Sequence, residues 1–73
     1  SAKLALSDVG ASAVLAKAAL EAASLNVFIN TGLMEDSAKA LAYEEEANGL
    51  IEKTAPAADK VHAAVRESIV RVR

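Results

Sequence analysis

From Val9 to Ile29 the chain is apolar almost without relief, whereas from Asp36 onward apolar residues recur only every third or fourth position. Between Val9 and Leu25 only Gly10, Ser12, Lys17, Glu21 and Ser24 interrupt the first run. Gly10, Lys17, Glu21 and Ser24 fall on one narrow stripe at helical spacing. No segment alternates apolar with polar residues for long, so the pattern predicts helices and no strands. Ser7 suits an N-cap, with Asp8 in the first turn where the helix dipole favours negative charge. Thr31-Gly32 reads as a stop, with Gly32 suited to a left-handed C-cap. A first helix is therefore expected over about residues 8–30, and a turn over about 31–36.

A second helix is expected from about residue 37 to about 72, capped by Asp36. Its apolar positions, Ala47, Leu50, Thr54, Ala58, Val61, Val65, Ile69 and Val72, make one stripe close to a heptad. Charged residues, among them Glu44, Glu45, Glu46, Lys60, Arg66 and Arg71, populate the other faces. Pro56 removes a backbone hydrogen bond and clashes with the preceding turn. The stripe keeps phase across it, which favours a kinked helix; a break near residues 54–57, with a new helix from Ala57, is the alternative.

The predicted fold class is all-α, an antiparallel αα-hairpin of one long apolar helix and one long, Pro-kinked amphipathic helix. A helix with a single apolar stripe cannot cover one that is apolar over most of its circumference. Residues 1–73 are thus expected to be a single partial helical domain, belonging to a bundle completed by further segments or by oligomerisation through the first helix.

Composition narrows the function classes. A chain of 73 residues buries only about 60% of its unfolded surface, which makes lone stability marginal. There is no cysteine to build a disulfide or a thiolate metal site, which fits a cytoplasmic setting. A net charge of −2, no basic block and 3% aromatic residues argue against nucleic acid as a partner. The apolar run is long enough to raise a membrane span, but Lys17 and Glu21 lie near its middle and would each cost about 2.5–3.5 kcal/mol there. A soluble helix surrounded by protein is expected instead, with no membrane partner. No basic segment leads into a signal-peptide cleavage site.

Three polar residues on this apolar background are candidates for chemistry. Asp8 is either half of a capping pair with Ser7 or a carboxylate facing a pocket, where it could accept a bidentate pair of hydrogen bonds or move a proton. Asn26 and Asn30 are four residues apart on one helix face and either serve the helix end or line a pocket. Asparagine is a poor interior helix residue, which makes Asn26 the harder to assign to structure alone. His62, the only histidine, lies beside the apolar stripe and reads as a solvated surface group. Glu44-Glu45-Glu46 point in different directions and read as a solvated face, so no metal site is expected. Gly10, Gly32 and Gly49 are isolated and form no phosphate-cradling loop.

Leu6-Ser7-Asp8-Val9-Gly10, an alanine-rich helix, Ala23-Ser24-Leu25-Asn26-Val27-Phe28-Ile29-Asn30 and then Gly32-Leu33 with Glu35-Asp36 follow one another over this stretch. In this the chain, over roughly Leu4 to Val70, resembles the C-terminal part of the formiminotransferase-cyclodeaminase domain, and especially the stand-alone bacterial methenyltetrahydrofolate cyclohydrolases. The resemblance implies an all-helical, dimer-forming enzyme acting on a tetrahydrofolate derivative, with folate as substrate and no cofactor or metal. Members close the 5,10-methenyl ring with loss of ammonia, or hydrolyse the methenyl form to 10-formyltetrahydrofolate. Asp8 matches the family's Ser-Asp position; Asn26 and Asn30 match its Asn-Val-x-Ile-Asn. These three carry over as substrate-binding candidates, with Asp8 also the catalytic candidate and Asn30 leaning toward a cap. The family's opening Pro-x-Pro-Gly-Gly-Gly segment, and the acid usually regarded as catalytic, have no counterpart here. Pro56 also interrupts a helix that is normally continuous. The expectation is a C-terminal fragment, inactive by itself.

Overall fold

Ser1 and Asp36 decide where the two helices begin. The computed structural model describes residues 1–70 as α1 (Ala2–Gly32) and α2 (Ser37–Ile69), packed against each other as a hairpin. The Ser1 hydroxyl accepts from the Leu4 N–H at 3.3 Å and caps α1. Ser7, expected to be the cap, instead lies inside the helix, and Asp8 with it. The residues from Ala2 to Leu6 are good helix formers, so once Ser1 supplies a cap nothing halts the helix before Ser7.

The far end of α1 also differs from expectation. Among the described residues none has a positive φ, so Gly32 stays right-handed. The C-cap is Leu33 (φ −97°, ψ −7°), whose N–H donates to the carbonyls of Asn30 and Thr31. The last turn tightens rather than reversing hand, and Met34 N–H closes on the Thr31 carbonyl at 3.2 Å.

Asp36 caps α2, its carboxylate accepting from Lys39 N–H at 3.1 Å. The helix passes through Pro56 without the alternative break. Pro56 is exposed, so the Glu52 carbonyl that loses its donor is left on the watered side. Arg71 and Val72 of the expected second helix lie outside the described residues.

The contact between the helices follows two interlocking heptads. On α1 the buried and half-buried positions are Gly10, Ala13, Lys17, Leu20, Ser24, Val27 and Thr31, alternately three and four apart, joined by Phe28 beside Val27. On α2 they are Ala40, Glu44, Ala47, Ile51, Thr54, Ala58 and Val65, with Ala55 and Ile69 alongside. Leu50 and Val61, placed on the expected stripe, are 50% and 38% exposed. The heptad measured from Ala40 takes Ile51 inward and leaves Leu50 on the flank.

Small residues recur along the seam, and two of its hydroxyls bond back to their own helix. Ser24 Oγ donates to the Glu21 carbonyl at 2.6 Å, and Thr31 Oγ1 to the Phe28 carbonyl at 3.1 Å. Gly10 lies directly against the Val65 side chain. A Cβ there would meet Val65 Cγ1 at 3.0 Å and Val65 Cβ at 3.2 Å, and the Cβ is fixed by the backbone, so no rotamer change can withdraw it.

The stripe of α1 that faces α2 is therefore the one carrying Gly10, Lys17 and Ser24, while Glu21 beside it stays exposed. The more apolar side of α1 is left uncovered, with Leu4, Leu15, Leu25 and Ile29 between 62% and 69% exposed. By length and composition alone, α1 is long and apolar enough to cross a membrane. The enclosure expected for it is not supplied within one chain. The hairpin is a rod of 57 × 17 × 15 Å, with a radius of gyration of 16.8 Å against about 11 Å for a globular domain of this length.

Gly10→Val should lower the urea midpoint at fixed chain concentration, with a loss of about 1–3 kcal/mol from overpacking. Val65→Ala in the same chain should recover part of that loss, measured as a positive coupling in a double-mutant cycle followed by circular dichroism.

Candidate functional site

Asp8, Asn26 and Asn30 all lie on α1, and all three side chains are exposed. Among the described residues, none of the three side chains makes a hydrogen bond to protein. The Asp8 carbonyl accepts from Ser12 Oγ at 2.7 Å, and the Asn30 carbonyl from Leu33 N–H at 3.1 Å, but these are backbone groups. Asn30 thus serves the helix end through its main chain, leaving its amide free. Asp8 and Asn26 are 18 positions apart in one unbroken helix, about 27 Å along its axis. One chain cannot bring them to a common ligand.

Two features that the residue pattern did not single out do bring side chains together. The first is an ion pair across the hairpin, Lys17 Nζ to Asp59 Oδ1 at 2.9 Å. Lys17 sits in the seam with its stem against α2 and its ammonium reaching out to water, which explains how an apolar helix tolerates a lysine near its middle. The hydrogen bond and charge of Asp59 hold the Lys17 ammonium above its ordinary pKa of 10.5, with partial desolvation opposing and Glu21 adding slightly. The second is an open groove of about 450 Å³ at the end of the hairpin where α1 starts and α2 finishes. Gly10, Val14, Leu15, Val65 and Ile69 give it an apolar floor, and Ser7, His62 and Arg66 a polar rim. His62 and Arg66 were read as solvated and are exposed, yet they share one rim because they lie four residues apart on α2. Asp8 follows Ser7 directly but does not line the groove. Among the described residues, no cluster of three or more His, Asp or Glu side chains stands ready for a metal.

Comparison with known proteins gives one finding of weight. The family model described as formiminotransferase-cyclodeaminase matches residues 1–49. The chain belongs to that family. The match takes in all of α1, the turn and the first part of α2, and so contains Asp8, Asn26 and Asn30. It ends before Pro56 and before the His62 and Arg66 rim of the groove, which makes those the portion of the chain that the formiminotransferase-cyclodeaminase model does not describe. No curated protein and no solved structure matches the chain.

Two outcomes follow from this geometry. Asn30→Ala should shift the thermal midpoint by no more than about 0.5 kcal/mol equivalent, because the capping atom is the backbone carbonyl. For the ion pair, the folded-state lysine pKa is raised, so its contribution is full below pH 10.5 and is lost as pH rises through the higher folded value. Wild type should therefore melt slightly above Asp59→Asn from neutrality to that range, and the two melting curves should converge above it. The neutral-pH difference is expected to be small, because water screens the exposed Asp59 end of the pair.

Proposed function

We propose that the chain forms part of a folate one-carbon enzyme of the methenyltetrahydrofolate cyclohydrolase or formiminotetrahydrofolate cyclodeaminase type, working in the cytoplasm as a homodimer or larger homo-oligomer held through α1. The observation that carries this reading is the family match across residues 1–49, which contains the three polar residues that stand out on α1.

Both reactions act on one carbon between N5 and N10 of tetrahydrofolate. In the hydrolysis, water adds to the methenyl carbon and loses one proton to leave a hydroxyl adduct; the hydroxyl then loses its proton and N5 gains one as the N5–carbon bond breaks, which gives the 10-formyl product and releases one proton net. In the deamination, N10 attacks the formimino carbon and a proton must reach the departing nitrogen, which leaves as ammonia. Each needs a carboxylate able to take or give a proton within reach of that carbon, and donors that hold the ring. Asp8 has the chemistry for the first role. Asn26, whose amide both donates and accepts, suits the edge of a pterin.

A second reading is favoured by a specific observation. Among the described residues nothing encloses Asp8 or Asn26, while a long apolar face of α1 is uncovered, as a non-enzymatic self-association module would require.

The discriminating measurement is decay of 5,10-methenyltetrahydrofolate absorbance by a protein carrying this chain with the rest of its family domain. Turnover that falls at least 100-fold in Asp8→Ala is the expected result for a general acid or base. Neither folate binding nor turnover in the unsubstituted protein would leave the self-association module as the reading.

A further inference from the structure

The groove at the end of the hairpin has two unlike walls. The α1 wall is Ala11, Val14 and Leu15, with a polar group only at Ser7, and Gly10 adds no side chain to fill the space. The α2 wall joins the buried Val65 and half-buried Ile69 to the exposed His62 and Arg66. Val14 and Leu15 are 43% and 68% exposed, so an occupant would remove apolar surface from water. The volume of about 450 Å³ falls within the roughly 300–1,000 Å³ of small-molecule sites.

The charge on the rim selects the occupant. Among the described residues the ion pair is Lys17 with Asp59, and Arg66 has no carboxylate partner. Glu67, the next residue, lines the adjoining recess and not the groove, and Asp8 does not line the groove either. The rim therefore offers a guanidinium, an imidazole and a hydroxyl, with no acid among them. His62 and Arg66 are one helical turn apart, about 6 Å between their Cβ atoms, so one head group can accept a hydrogen bond from each. A single guanidinium balances a single negative charge, and its planar fork fits the two oxygens of a carboxylate.

We propose that this groove binds a free monocarboxylate with an unbranched apolar chain of medium length, its head on His62 and Arg66 and its chain along Ala11, Val14 and Leu15. From Ser7 to Leu15 the α1 wall runs about 12 Å along the helix axis, which covers a medium chain and leaves the end of a long one in water. The head stays at the exposed rim, where its charge keeps part of its hydration while the chain is covered. One wall lies within residues 1–49 and the other beyond them, so the family match assigns no occupant to the groove. The site is independent of the folate reading above.

Decanoate, with decanol as its uncharged counterpart, is titrated by calorimetry into the protein carrying this chain with the rest of its family domain. The expected result is saturable binding of one decanoate per chain, with a Kd of about 1 mM or tighter, and decanol weaker by about three-fold or more. Arg66→Gln keeps the stem and removes the charge, and should bring decanoate down to the affinity of decanol. Ala11→Trp should fill the groove and abolish binding of both, whereas Ala22→Trp, exposed on α1 outside the groove, should leave binding unchanged. Absence of saturable binding overturns the site. Equal affinity for decanol and decanoate in the unsubstituted protein overturns the role of the rim, and equal loss in both Trp variants overturns the location. Displacement of decanoate by 5,10-methenyltetrahydrofolate makes the groove part of a folate site and overturns a separate occupant. Should Ala11→Trp lose its helical circular dichroism, the Arg66→Gln comparison decides alone.

Discussion

Close approach at Gly10 sets the terms for the rest of the molecule. Val65 lies so near that a Cβ at that position would crowd it, and from there the seam continues through Ala13, Ser24 and Thr31 against Ala40, Ala47 and Ala58. Small residues let two backbones come together over a long distance with regular interlocking. They also bury little. Among the described residues the buried apolar ones are two alanines and one valine, and no large side chain is completely enclosed. At about 25 cal/mol per Å² of apolar surface, such a seam yields little against a backbone entropy cost of about 1–2 kcal/mol for every ordered residue. A hairpin held this way is a part that acquires its stability when something else covers it.

The distribution of polarity on α1 follows from the same constraint. Lysine and serine would be expensive on a face that another protein surface must seal. On the α2 side they are tolerable, because Lys17 reaches past the seam to Asp59 and Ser24 bonds back to its own turn. The outer side keeps Leu4, Leu15, Leu25 and Ile29 together, and its one charge, Asp8, is out of keeping with them. A carboxylate on an otherwise unbroken apolar seam has either a structural partner or a chemical task, and among the described residues it has no structural partner.

The hairpin itself was legible in the residues. Two long segments at helical period, a short polar turn and Asp36 in position to cap left no other class of fold. What misled at finer scale was local chemistry taken without its competitors. Ser7-Asp8 has the form of a helix start, but Ser1 and the helix-forming run from Ala2 to Leu6 offered an earlier one. Gly32 has the form of a left-handed cap, yet Leu33 closes the helix with a tight turn that needs no positive φ. Leu50 was assigned inward by counting apolar residues, whereas the interlocking seam counts volume and position, so Ile51 enters instead. The direction of α1 was the least legible feature. A helix that is apolar nearly all round does not disclose which side a weakly apolar partner will take.

The candidate site was legible as residues and illegible as a place. Spacing gave Asn26 and Asn30 one face of one helix end, and the two-ended pattern tied them to Asp8, but a straight helix holds its two ends apart by its own length. The rise per residue that makes α1 a rigid rod forbids a pocket made from both ends of a single copy.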